Sequence, residues 1–307
     1  MQTLTLTMGT LVPLVPWLLA VAAVAQANPV MKPTNSPQPR WVDLSQPLPD
    51  RCSALQVQPS PGELRQLAPT GELRVTINTG NFVLTQTAPS GVVVGLSPNL
   101  TQLMGRQLGV PIAPALVSSA GAAYQDVAEG RADLGFFGLS ELRASGKAVS
   151  GSTLGVSYSS PYIEIFGSYA VRNSSSITRN SQVDQPGNTI VVGKNSVYNL
   201  WLIDNLRHAR VVQAPTSPEV TSFMLASDYS IGAGIRNQLL NDAASTGKIR
   251  VLDGSFMVIQ QALATGRGRP QAIGYLDRFV RAVIRSGCLQ DLVVQNRLRD
   301  ATIPPAP

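Results

Sequence analysis

Apolar and polar positions alternate over residues 73–77, the period of a half-buried strand, and Asn78-Thr79-Gly80-Asn81 then breaks the pattern as a loop. Beyond Gly95 the period changes. Leu100, Leu103, Met104 and Leu108 recur at helical spacing until Gly109 and Pro111 stop them, which predicts a core-facing helix. Tyr124, Val127 and Ala128 mark a second short helix, and it delivers the chain through Gly130 to residues 134–137, a small apolar run with no solvent face and hence a buried strand. Residues 169–171 and 189–192 read as strands, the latter running through Gly193-Lys194-Asn195-Ser196 into a helix carrying Val197, Leu200 and Trp201, with Ser196 as N-cap. Thr216-Ser217-Pro218-Glu219 has the spacing of a capping box and starts a helix with Val220, Phe223 and Met224 on its apolar face. Strands follow at 231–235 and 249–252, separated by a helix with Leu239, Leu240 and Ala243. A final long helix carries Leu276, Phe279, Val280, Val283 and Ile284 and closes at Gly287. Strands alternating with helices predict an α/β fold whose sheet is mostly parallel and covered by helices.

The two ends of the chain read differently. Residues 1–27 carry no charged side chain, and their apolar stretch, broken by Pro13 and Pro16, is too short to span a bilayer. Ala25-Gln26-Ala27 supplies a small-x-small cleavage pattern, so 1–27 is read as a secretory leader and the mature chain as periplasmic or secreted and soluble. Residues 28–61 hold Pro29, Pro33, Pro37, Pro39, Pro47, Pro49, Pro59 and Pro61 with few apolar anchors, and are read as a linker or arm. The tail, 299–307, ends in Pro304-Pro305-Ala306-Pro307 and is expected to be disordered.

The 307 residues suffice for one large or two modest domains. A net charge of +6 favours anionic ligands, but Lys and Arg are scattered and no nucleic-acid-binding motif occurs, so no nucleic-acid partner is expected. Cys52 and Cys288 are the only cysteines. In an exported chain they are compatible with one disulfide or with two separate buried thiols. With His208 as sole histidine, and on an arginine-flanked run, a zinc site or a Ser-His-Asp triad is not expected, and neither metal nor cofactor is called for. Two features suggest binding chemistry. Arg143 follows the 134–137 strand, where an open α/β sheet forms its crevice, and its planar fork suits a carboxylate; a solvated surface arginine is the plainer alternative. Ser196 opens a helix just after a strand, where free N–H groups favour an anion, although an ordinary capped helix would look the same.

With these pieces in order, residues 62–298 resemble the family-3 solute-binding proteins, the polar-amino-acid-type receptors of ATP-binding-cassette importers. The likeness is carried by Gly71-Glu72-Leu73-Arg74-Val75, Leu108-Gly109-Val110-Pro111, Gly130 through Asp133, Arg143-Ala144, Ser159-Ser160-Pro161-Tyr162, Ser168-Tyr169-Ala170-Val171 and Gly193 through Ser196. The resemblance implies a bilobal type II periplasmic-binding-protein fold: two mostly parallel sheets flanked by helices, with a ligand cleft between lobes. Lobe 1 would be 62–163 plus 254–298, and lobe 2 would be 164–253 with the hinge crossings.

The resemblance also implies roles. Arg143 would clamp a ligand carboxylate, helped by Asn195 and Ser196, while Asn81, Phe82, Gly138 and Ser140 would contact the rest of the ligand. The place of the acidic residue that usually meets an ammonium group holds Ile235, with Arg236 beside it, and Glu164 is the acid that could substitute. Residues 145–153 form an extra stretch at the cleft rim. The implied function is capture of a small carboxylate-bearing solute by a monomer that presents it to a membrane permease. Alternatives are an enzyme like the cyclohexadienyl dehydratases, with Glu141 or Glu164 as its acid, and an effector-sensing domain.

Overall fold

The computed structural model describes residues 41–148 and 153–307, so the leader region and part of the 145–153 stretch lie outside the described residues. The chain begins with β1 (Trp41–Val42), α1 (Asp50–Ser53) and α2 (Pro61–Leu67), then β2 (Leu73–Asn78), β3 (Gln86–Thr87) and β4 (Val92–Val94). It continues through α3 (Leu96–Leu108), β5 (Ile112–Val117), α4 (Ala120–Ala128), β6 (Leu134–Gly138) and α5 (Glu141–Ser145) to the long β7 (Val156–Arg172). Then come β8 (Thr189–Gly193), α6 (Val197–Asn205), β9 (Arg210–Ala214), α7 (Val220–Ala226), β10 (Ile231–Ile235), α8 (Arg236–Thr246) and β11 (Ile249–Val251). Last are β12 (Met257–Gly266), α9 (Pro270–Arg285), α10 (Cys288–Gln295) and β13 (Ala301–Thr302).

The main strands run in the order β5-β2-β6-β12-β7-β10-β8-β9. Parallel pairing holds at β2 with β5 and β6, and at β8 with β9 and β10, which is the pattern that interleaved helices impose. Between these two parallel sets run β7 and β12, long and antiparallel. At Gly167 strand β7 changes partner, from Met257 on β12 to Ile235 on β10, and so passes from one lobe to the other. Only the carboxyl-terminal end of this strand, 169–171, is legible as a strand in the sequence, because Ser157, Ser159, Ser160 and Pro161 break its apolar run. Strand β12 was missed altogether, its two glutamines hiding the alternation.

The first lobe's core forms where α3 and α9 turn Leu100, Leu103, Met104, Leu276, Phe279, Val280 and Val283 onto the strands. These are the residues whose helical spacing predicts burial. Gly109 ends α3 with φ of 67°, a left-handed position that costs glycine nothing. Asp133, fully buried at the entry to β6, accepts bonds from Arg74 Nε and Nη2 and from Arg269 Nη1, each at 2.8 Å. That ties β2, β6 and the start of α9 together at the end of the sheet away from the cleft.

Two expectations for the chain ends are corrected. Residues 41–61 are not a free arm: β1 pairs with β4, Leu48, Cys52, Leu55 and Val57 are buried, and Val57 O accepts the Tyr275 hydroxyl at 2.8 Å. Pro49 leads into α1, and a Cys52–Cys288 disulfide fastens the segment to α10. Nor is the tail loose, since β13 pairs antiparallel with Ile165 and Glu164 of β7 and Ile303 packs on the core. A local correction concerns Thr216-Ser217-Pro218-Glu219. Thr216 Oγ1 bonds the Glu219 side chain at 2.7 Å and the helix begins only at Val220, so the first three residues form a turn.

Candidate functional site

Arg143 lies in α5, just past the carboxyl end of β6. Ser140 caps this short helix, its hydroxyl accepting from the Arg143 backbone N–H at 3.4 Å, while Gly146 closes it in the left-handed region. The cap turns the side chain inward. Arg143 is 1% exposed, and no carboxylate among the described residues pairs with it. Its Nη1 donates to Gly138 O at 3.1 Å and its Nη2 to Asn195 O at 2.8 Å, two of the five N–H groups a guanidinium carries. The cation rests against the rings of Phe137 and Tyr124, 5.4 and 5.9 Å from their centroids. Tyr158 stands edge-on to Phe137, and burial pushes its phenol up to about 12. Burial also pulls Arg143 below the usual arginine range, the expected direction for a cation taken out of water without a counter-charge.

Facing Arg143 from the second lobe is the loop into α6. Asn195 has φ of 56°, a left-handed conformation uncommon outside glycine, and this turns its carbonyl onto Nη2. Ser196 then caps α6, its hydroxyl accepting from Asn199 N at 3.1 Å. From the first lobe α4 points its own start, capped by Ser119, toward the same place. A Cβ added to Gly121 near that start would lie 2.7 Å from Asn195 Cβ, and one on Gly138 would lie 2.9 Å from Val197 Cγ1. The lobes therefore meet through glycines.

The pocket at this contact is lined by Asn78, Asn81, Gly138, Arg143, Ser196, Tyr198, Ser217, Ile235 and Gln261 among others, and encloses only about 30 Å³. That is space for a water or two, so a solute enters only if the lobes part. The Asn78 and Asn81 side-chain oxygens accept from Gly80 N and Val83 N, which leaves their NH2 ends as donors. Ser217 Oγ accepts from the Tyr198 hydroxyl at 2.7 Å and keeps its own proton to give. No Asp, Glu, Lys or His belongs to the lining, so Arg143 is its one formal charge. A larger open hollow of about 730 Å³ lies at Leu44, Gln102, Arg106 and Ile112, but no helix starts converge there and Arg106 is its only charge. The chemistry concentrates at Arg143.

Of the residues proposed from sequence, Arg143, Asn81, Gly138 and Ser196 line this pocket, Asn195 contributes its carbonyl, and Ser140 acts one step back through the helix cap. Three lie elsewhere. Phe82, 43% exposed, lines a separate hollow with Asn237, Leu240 and Arg299. Glu164 points away on β7, accepting from Gln260 Nε2 and Thr302 Oγ1. Arg236 turns its Nη1 to Ser168 Oγ and the carbonyls of Leu252 and Gly254, so it pins the second crossing instead of facing the pocket. Sequence reading missed Tyr198, Ser217 and Gln261. The position of Gln261 on an unrecognised strand left no signal to find it, whereas Ser217 was visible but was assigned to a helix cap.

Neither a protein-family profile nor a curated protein sequence matches the chain. Solved structures do. A putative binding component of an ABC transporter from Wolinella succinogenes, complexed with lysine, aligns with TM-score 0.62 at 19% identity, over 75% of this chain and 97% of its own. The cysteine-binding protein of Campylobacter jejuni aligns with TM-score 0.64 at 14% identity, over 76% and 92%. The periplasmic VFT2 domain of Bordetella pertussis BvgS aligns with TM-score 0.62 at 19% identity, over 80% and 100%. At such identities the likeness establishes the fold: this is a bilobal type II periplasmic-binding-protein fold with a ligand cleft between its lobes.

Proposed function

We propose that the chain is the periplasmic substrate-binding protein of an ATP-binding-cassette importer, capturing a small carboxylate-bearing solute by lobe closure and handing it to a membrane permease. The observation that carries the reading is Arg143, a cation 1% exposed with no acid in the surrounding pocket. An isolated buried charge is costly, and a fold keeps one where an anion will complete it. Two helix starts and the Asn78 and Asn81 donors converge on the same place and favour the same sign. Glu141 and Glu164 do not line the pocket, so the acid that a dehydratase would need is not among its residues, which favours a receptor over an enzyme. Ile235 lines it where an ammonium-binding acid would be expected. The solute is therefore recognised through its carboxylate and not mainly through an amino group.

The test is titration calorimetry on purified protein with short carboxylic acids, hydroxy acids and α-amino acids. Acids without an ammonium group should bind, and Arg143→Ala should weaken them by about 2–5 kcal/mol, roughly 30- to 5,000-fold. Arg143→Lys should not restore them, because a point charge lacks the two-pronged geometry. Binding that requires the ammonium group, or that survives Arg143→Ala, would overturn the reading.

A further inference from the structure

Gln261 is 3% exposed, lines the Arg143 pocket, and its Oε1 has no hydrogen-bond partner within the protein. The backbone explains how it comes to be there. β12 lies between β6 and β7, with Gln261 opposite Gly138 on one side and Ile163 on the other. Alternation along the strand sends Gln260 outward, where it meets Glu164, and Gln261 inward. Gly138, whose missing side chain would otherwise meet Val197 and Ile259, lines the same pocket as Gln261, and its carbonyl is also the group that receives Arg143 Nη1. The guanidinium and the Gln261 amide thus belong to the lining of one pocket.

A buried acceptor with nothing to accept is a defect in a core and an asset in a binding site. Arg143, Asn78 and Asn81 all offer donors, and a carboxylate consumes donors; Gln261 Oε1 is the member of the set that asks for one. An ammonium would bring a full charge into a pocket without an acid, at a cost a neutral amide oxygen does not offset. A neutral donor carries no such penalty. We infer that Gln261 is a specificity-determining residue, and that the solute carries a neutral hydrogen-bond donor, a hydroxyl or a carboxamide, on the side away from the carboxylate held by Arg143. This rests on the carboxylate reading of the pocket and adds the second recognition element to it.

Matched acids test it: butyrate against 3-hydroxybutyrate, and butyrate against succinamate, titrated into the wild-type chain, Gln261→Met and Arg143→Ala. The wild type should prefer at least one donor-bearing acid by tenfold or more. Gln261→Met, close to isosteric but without the carboxamide, should reduce that preference to within about threefold. Its ligand-free melting temperature should equal or exceed that of the wild type, since an unsatisfied polar group has been removed; a purely structural glutamine would give a lower one, and Gln261→Leu repeats the comparison with a different shape. No preference in the wild type, or a preference that survives Gln261→Met, overturns the inference while the carboxylate reading stands. Butyrate binding indifferent to Arg143→Ala, or no binding of any acid, overturns the carboxylate reading and the inference with it.

Discussion

Removing the Cys52–Cys288 disulfide should be among the most destabilising changes this chain can suffer without touching its pocket. The two residues are 236 positions apart, both are completely buried, and the loop they close encloses nearly all the described chain. In the chain-entropy account a loop of that length removes about 5.5 kcal/mol of conformational freedom from the unfolded state at 25 °C, slightly more than the roughly 5 kcal/mol that native disulfides deliver at most. Folded-state contacts change little, because α1 stays anchored by Leu55 and Val57 packing and by the Tyr275 bond to Val57 O. We therefore expect Cys52→Ala/Cys288→Ala to lose roughly 4–5 kcal/mol, which at a urea slope of about 3 kcal/mol/M lowers the midpoint by about 1.5 M. Urea melts followed by circular dichroism would measure it, with reduced wild type as a second route to the same cross-link-free chain. A loss under about 1 kcal/mol would refute the argument, because it would mean that the unfolded chain gains no freedom when the loop is opened. Affinity for a pocket ligand should stay the same, since neither cysteine lines the pocket.

Two further outcomes follow from individual contacts. Gly121→Ala should raise or preserve the melting temperature, alanine being about 1 kcal/mol better than glycine inside a helix, yet should weaken ligand binding at least tenfold because its methyl group meets Asn195 where the lobes close. Small-angle scattering should give this variant a larger radius of gyration with ligand present than the wild type, and an equally compact complex would refute the closure contact. Glu63 accepts from Arg278 through both carboxylate oxygens, and those bonds hold its pKa at about 2 against an ordinary 4.5. A depressed carboxylate contributes stability that is complete above pH 4.5 and drains away as the pH falls toward 2, so Glu63→Gln should flatten that arm of the stability profile measured by urea melts from pH 5 to 2. An acid limb unchanged by Glu63→Gln would show that the pair contributes nothing, as exposure of the Arg278 side would then have screened it.

The parts of the fold legible in the sequence are those where one physical cause dominates. Helical spacing in α3 and α9 marks residues that a single face buries, and the α/β alternation follows from short apolar runs separated by such helices. The parts that were not legible depend on long-range pairing. β12 carries Gln260 and Gln261 in its middle and reads as polar, because nothing in its local pattern reveals that it will lie between β6 and β7. Residues 41–61 look too rich in proline to order, and order because a partner cysteine 236 positions away and a tyrosine hydroxyl wait for them. Composition measures what a segment can bury by itself, not what others bring to it.

The site divides along the same line. Arg143 and Ser196 were reachable because each sits just past a strand end or at the start of a helix, positions whose exposure toward a crevice follows from the topology of an open α/β sheet, whereas Gly138 came only through the family resemblance. Arg236 and Glu164 were misassigned for a related reason: proximity to a strand end gives the right neighbourhood but not the direction of a side chain. Arg236 is the first residue of α8, one position beyond the pocket-lining Ile235, and there its guanidinium turns to the carbonyls of Leu252 and Gly254. Moving Arg236 out leaves Arg143 as the pocket's one charge, and moving Glu164 out leaves it without an acid. Both displacements push the chemistry the same way, toward an anion whose charge is met once and whose remaining polarity must be met by neutral groups. A second cation would have suited a dicarboxylate and an acid would have suited an amino acid; a lone guanidinium facing an unoccupied amide oxygen suits neither as well as it suits a monocarboxylate with a neutral donor.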